Sequence, residues 1–181
     1  MPPTDQVAAM PDDAAADPIE GRVGEALRET DGTVAVAESC TGGLIGSRLT
    51  DVPGSSDYFD RSVVTYSYDA KRDLLAIDRE VLDAEGAVSE PVARQMARAV
   101  RDTADTTWGI ATTGVAGPAG GSEETPVGTA YIGVAYAAPW GSGDSTTTVA
   151  RYEFDGDRTT VKRRIAEQAL ADLHEAVERR R

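Results

Sequence analysis

The chain has 181 residues, 31 acidic against 18 basic, and a net charge of −13. That length holds one well-cored domain, and its charge repels nucleic-acid phosphates. No stretch approaches the roughly 18 apolar residues that would cross a bilayer, one cysteine leaves no internal disulfide, and one histidine beside it argues against a zinc site of the usual ligands.

Residues 1–17 are rich in Pro, Asp and Ala and lack a basic stretch followed by an apolar run. They read as a disordered acidic tail rather than a signal peptide, with one domain over 18–181. Ile19, Val23, Ala26 and Leu27 share one helical face, and Asp31-Gly32 ends that helix. The apolar run Thr33 to Val36 predicts a strand. It passes through Ala37-Glu38-Ser39-Cys40-Thr41-Gly42-Gly43 into a helix over Leu44 to Leu49. Such a hydroxyl-rich, Gly-Gly junction is a place to bind an anion and mount a nucleophile; the alternative is an ordinary turn capped by Thr41.

Asp51 to Ser56 reads as a turn, and Tyr58 to Tyr66 as a second strand. Ser89-Glu90-Pro91 opens a helix with Ser89 as N-cap and Val92, Met96, Ala99 and Val100 inward. Trp108 to Thr113 is a short strand. Gly114, Gly117, Pro118, Gly120 and Gly121 then make the segment up to Thr125 a loop. Val127 to Tyr136 and Thr146 to Phe154 are a predicted antiparallel pair. Val161, Ile165, Ala169, Leu173 and Val177 recur every four residues as one buried helical stripe. Strands alternating with helices, then a strand pair, predict an α/β fold: a three-layer α/β/α sandwich with a mixed, mostly parallel sheet.

Lys71 and Lys162 are the two lysines of a chain that otherwise uses Arg. This bias together with the acidity points to a halophilic cytoplasm. Arg cannot be deprotonated, whereas a desolvated Lys can, so Lys71 is a candidate base; the alternative is a solvent-facing helical Lys beside Arg72 and Asp73. His174, near the end of the last helix, reads as a solvent-facing or half-buried residue and gives little support to a Ser-His-Asp arrangement.

Several motifs occur in one order along the chain: Glu38-Ser39-Cys40-Thr41-Gly42-Gly43, Thr65-Tyr66-Ser67 through Lys71, Gly86-Ala87-Val88-Ser89-Glu90-Pro91, Gly114-Val115-Ala116-Gly117-Pro118, Gly120-Gly121-Ser122, Pro126-Val127-Gly128-Thr129 and Phe154-Asp155-Gly156-Asp157-Arg158. This series resembles the CinA C-terminal domain family from about residue 19 onward. The resemblance implies a nicotinamide mononucleotide deamidase, without a cofactor, that releases nicotinate mononucleotide and ammonia. Larger members add an N-terminal molybdopterin-binding-like domain, for which this chain is expected to have no room. Tyr68 stands where the family commonly has Asn, and Ala119 where Asp is common.

Amide hydrolysis needs a nucleophile, a proton carrier and oxyanion donors. By resemblance these are Ser39 with Lys71 and Tyr66, where Tyr66 relays a proton or bonds Ser39 unless it is a core aromatic. N–H groups of Gly42-Gly43 or of the Gly117 region are the expected oxyanion donors. Thr41, Gly42, Gly43, Thr113, Gly114, Gly117, Gly121 and Ser122 are the expected walls of a mononucleotide pocket, with Arg158 on the phosphate or simply paired with Asp155 or Asp157. A Cys40-dependent amidohydrolase and a non-catalytic nucleotide-binding or competence-related module are the alternatives. The expected partner is a small mononucleotide, with no nucleic acid, metal or membrane, in a cytoplasmic homo-oligomer.

Overall fold

The structure is a computed structural model that describes residues 17–181, so all but the last residue of the expected tail lies outside it. Helix α1 (Ile19–Glu29) buries Ile19, Val23, Ala26 and Leu27 as its periodicity predicts. Strand β1 (Val34–Glu38) is buried along its whole length because parallel neighbours flank it on both sides. After it come α2 (Leu44–Thr50), β2 (Phe59–Val64), α3 (Tyr68–Leu75), α4 (Arg79–Glu85) and α5 (Glu90–Ala104). The chain then forms β3 (Trp108–Gly114), β4 (Thr129–Tyr136), β5 (Thr146–Glu153) and α6 (Arg158–Glu178).

The sheet runs β2-β1-β3-β4-β5. The first three strands are parallel, and β4 is antiparallel to both β3 and β5. Strand period two splits the core in two. Val34 and Val36 face a cluster with Leu27, Ile45, Leu49, Ile165 and Leu173, whereas Ala35 and Ala37 face Leu75, Val92, Met96 and Val100. Helices α1, α2 and α6 therefore cover one face and α3 to α5 the other, which is the three-layer mixed sandwich predicted from sequence. Each fully buried Leu, Ile or Met in these clusters contributes about 1.5–3 kcal/mol.

Some boundaries differ from the sequence reading. Strand β2 ends at Val64; Thr65 keeps one bond to β1, its N–H donating to the Glu38 carbonyl at 2.8 Å, and Tyr66 lies beyond the strand. Strand β4 begins at Thr129 because Gly128 takes φ +98° and packs its Cα against the Phe154 carbonyl. The inward position on α5 is Ala97, with Ala99 half-buried. Residues 68–85, to which no element was assigned, hold two short helices separated by Ala76 at φ 51°.

Helix α5 lies so close to β3 that a Cβ on Gly109 would stand 2.2 Å from the Ala97 carbonyl and 2.6 Å from Arg101 Cβ. Neither neighbour can yield without moving the helix. Gly109→Ala is expected to cost about 3 kcal/mol, a fall of roughly 6–12 °C in Tm by thermal denaturation. Gly21→Ala, facing open space on α1, should leave Tm unchanged or slightly raised.

Candidate active site

The connection from β1 to β2 runs through α2 on one face, and the return to β3 runs through α5 on the other. Adjacent strands β1 and β3 thus send the chain apart at their carboxyl ends, the position where open α/β sheets form ligand crevices. Ser39, the first residue beyond β1, is fixed there. Its N–H donates to the Thr112 carbonyl at 3.0 Å, and two residues on the Thr41 and Thr112 hydroxyls share a hydrogen bond of 2.8 Å.

Glu38 explains how the following loop keeps its shape. Its carboxylate is fully buried and accepts from the N–H groups of Gly43 (2.9 Å), Ile45 (3.1 Å) and Gly46 (2.9 Å) and from Ser62 Oγ (2.8 Å). The first turn of α2 has orphan donors that a side chain or an anion must meet. Here Glu38 meets them from within the chain. The expected Thr41 cap is therefore absent, and the Gly43 N–H is not free to hold an oxyanion. Gly43 itself occupies the cap position at φ 96°.

Alternation along the strand sends the next side chain, Ser39, to the opposite face. There Lys71 of α3 is fully buried, and its Nζ donates to Ser39 Oγ (3.0 Å), the Thr65 carbonyl (2.7 Å) and the Tyr66 carbonyl (3.3 Å). Ser67 starts α3 by accepting from the Ala70 N–H at 3.0 Å, which sets the turn that aims Lys71 inward. Burial lowers the Lys71 amine to about 8. Three acceptors occupy the three protons of the ammonium. On losing one, the amine keeps two N–H bonds to the carbonyls and turns its lone pair to the Ser39 hydroxyl, an arrangement suited to drawing off that proton.

The remaining expected residues divide. Tyr66 is 63% exposed, so it is not a core aromatic, and its hydroxyl accepts from Arg158 Nη2 at 3.3 Å rather than bonding Ser39. Arg158 Nη1 donates to the Gly117 carbonyl at 2.6 Å, tying α6 to the glycine loop instead of pairing with Asp155 or Asp157. The Thr113 hydroxyl, on the same sheet face as Ser39, donates to the Ala87 carbonyl at 2.6 Å. Tyr68 Oη accepts the Ala87 N–H at 3.1 Å, so these two side chains grip the same peptide segment. Thr41 is wholly buried and secures its loop. Gly114 and Gly121 stand where a Cβ would strike the main chain of Thr129 and Val127, and Gly42 and Gly117 take φ +65° and +79°. Ser122 shares its hydroxyl with Thr125 in a local turn and is exposed. Burial pushes the Cys40 thiol up to about 12, which leaves it inert at neutral pH. His174 is half-buried on α6.

Residues 16–177 match the model of the CinA C-terminal domain family. This chain belongs to the CinA family. It is 48% identical over 154 residues to a CinA-like protein of Chlorobium limicola, an overlap covering 85% of this chain and 35% of that protein. A CinA-like protein of Salinibacter ruber is also 48% identical, over 85% of this chain and 36% of its own length. The chain thus spans about a third of the curated relatives it matches. Among solved structures, a competence-damaged protein (CinA) superfamily member from Klebsiella pneumoniae superposes with TM-score 0.82 at 32% identity, covering 89% of this chain and 96% of that one. A competence/damage inducible protein of Agrobacterium tumefaciens is 36% identical with TM-score 0.76, over 87% and 96% of the two chains.

Two residues of this CinA domain escaped the sequence reading. Glu38 has no role assigned by its motif, although Val34, Val36 and Glu38 alternate onto one face and a carboxylate in that row needs buried donors. Lys162 was noted only as a rarity. Its Nζ in fact lies 3.5 Å from where Gly42 would carry a Cβ. Glu38→Gln, which turns a donor toward the α2 amides, is expected to destabilise the domain by about 2–4 kcal/mol in chemical denaturation. A change below about 0.5 kcal/mol would show that a neutral amide oxygen serves those N–H groups equally well.

Proposed function

We propose that this CinA-family chain hydrolyses the carboxamide of nicotinamide mononucleotide to nicotinate mononucleotide and ammonia. The observation that carries the reading is the 3.0 Å contact between Ser39 Oγ and a buried Lys71 amine lowered to about 8. The family resemblance supports the choice of substrate. Ser39 Oγ attacks the carboxamide carbon as Lys71 takes its proton, and the tetrahedral oxyanion collapses with expulsion of the amide nitrogen. That nitrogen leaves as ammonia with the proton from Lys71. Water then attacks the acyl-Ser39 ester, giving one proton to Lys71, which returns it to Ser39 as the nicotinate carboxylate departs.

Tyr66 and Arg158 act in this scheme as a wall. Their mutual contact joins the end of β2 to α6 and, through the Gly117 carbonyl, to the glycine loop. The pyridinium charge of the substrate, once bound, lowers the Lys71 amine further. High salt is the proper assay medium, because screening relieves both self-repulsion at −13 and repulsion of the anionic substrate.

Purified protein in concentrated potassium chloride is expected to release ammonia from nicotinamide mononucleotide. Ser39→Ala and Lys71→Met should each lower kcat by about a thousandfold or more, with Cys40→Ser within about threefold of wild type. A folded wild-type protein that yields no ammonia overturns the assignment. Equal turnover by Ser39→Ala and wild type removes the nucleophile.

The neutral amine is the working form, so kcat/KM should climb about tenfold per pH unit below the Lys71 pKa and level off above about 8. A profile that is flat from pH 6 to 9 would exclude Lys71 as the proton acceptor.

A further inference from the structure

A cavity of about 430 Å³ lies between the Thr41–Leu44 segment and the start of α6, lined also by Ser47, Thr159, Lys162 and Arg163. Lys162 Nζ lies near Gly42, 3.5 Å from where a Cβ on that residue would stand. Among the described residues, neither Lys162 nor Arg163 pairs with a carboxylate, and Arg163 reaches only the Thr160 hydroxyl at 3.5 Å. Some other arginines of the chain do pair with carboxylates, such as Arg28 with Asp57, Arg48 with Glu20 and Arg94 with Glu90. The nearby carboxylate of Asp157 is turned onto the Thr160 N–H at 2.8 Å as the helix cap, and Arg164 is drawn off to the Asp155 carbonyl.

Two adjacent cations near the positive end of a 21-residue helix repel each other and the helix dipole, while the chain as a whole carries −13. Asp157, whose carboxyl is held below the usual range chiefly by the Thr160 N–H and also by Arg163, offsets part of that repulsion, and a dianion would offset more. Arg158 is engaged with Tyr66 and Gly117, so it is less available for that purpose. Gly42 is three residues past Ser39, which sets their Cα atoms at most about 11 Å apart. That separation is within the length of a mononucleotide.

We infer that Lys162 and Arg163 form a subsite for the phosphate monoester of the substrate, selecting a mononucleotide over the corresponding nucleoside. The inference deepens the deamidase reading and rests on it for the identity of the amide. Lys presents a mobile point charge and Arg a planar fork, and together they match the oxygens of a phosphate.

The test compares nicotinamide mononucleotide with nicotinamide riboside, which lacks the phosphate, in wild type, Lys162→Ala, Lys162→Arg and Arg163→Gln. The ratio of kcat/KM for mononucleotide over riboside is expected to fall about tenfold or more in Lys162→Ala and in Arg163→Gln, and to be largely restored in Lys162→Arg. Inorganic phosphate should compete with the mononucleotide in wild type and much less in Lys162→Ala. An unchanged ratio in both charge-removing variants overturns the subsite while leaving the deamidase reading intact. So does inorganic phosphate that binds without competing. If wild type releases no ammonia, calorimetry replaces turnover. Tight binding of the mononucleotide but not the riboside, lost in Lys162→Ala, then upholds the subsite and rejects the deamidase. Equal binding of both compounds, or of neither, overturns the subsite.

Discussion

Burial of one amine organises the site. A lysine taken out of water loses hydration that its neighbours must replace, and Lys71 finds the replacement in two main-chain carbonyls and one serine hydroxyl. Those carbonyls belong to Thr65 and Tyr66, which are available because β2 stops at Val64 and leaves them without sheet partners in that direction. The early end of the strand and the lowered basicity of the amine are thus parts of one arrangement. A strand continued to Tyr66, as its aromatic and β-branched composition suggests, would engage the groups that hold Lys71.

The second constraint is the two-residue period of β1. Glu38 and Ser39 are neighbours in sequence but face opposite layers, the carboxylate toward α2 and the hydroxyl toward α3. The carboxylate closes the α2 terminus, which keeps the turn after β1 tight. The hydroxyl, on the same rigid residue pair, is then delivered to the amine. Shifting the strand by one residue would exchange the two faces and lose both interactions at once, so packing in the layers also holds Ser39 in register.

Much of this fold is legible in the chain. The stripes on α1 and α6, the β4–β5 pair and the junction after β1 all follow from period and turn chemistry, which are local. Burial of Lys71 is not local: its three acceptors come from the end of β1 and the end of β2, and α3 is too short for its periodicity to show an inward face. Only the scarcity of Lys here and the family resemblance single it out. Tyr66 and Thr113 lie close to where they were expected, yet their hydroxyls turn to Arg158 and Ala87. Side-chain direction at a strand end depends on which loop packs over it, and a motif does not encode that. Glu38 was hidden by composition, since one carboxylate among 31 acidic residues looks like more solvated surface.

The acidic surface and the α6 cations act over different distances. Charges spread over the surface act through solvent, and salt reduces their reach to roughly 3 Å at 1 M. Cations lining a cavity act at contact on a partly desolvated anion, where ions penetrate poorly. Raising salt therefore removes the general repulsion of −13 sooner than it removes local pairing at Lys162 and Arg163. An acidic protein in strong salt can thus present an attractive site for an anion without giving up the surface that keeps it dissolved. The helix that carries these cations has no acidic residue in its first turn and takes its cap from Asp157 just outside. That placement leaves the next turn free to carry positive charge beside the Thr41–Leu44 segment, with which α6 lines one cavity.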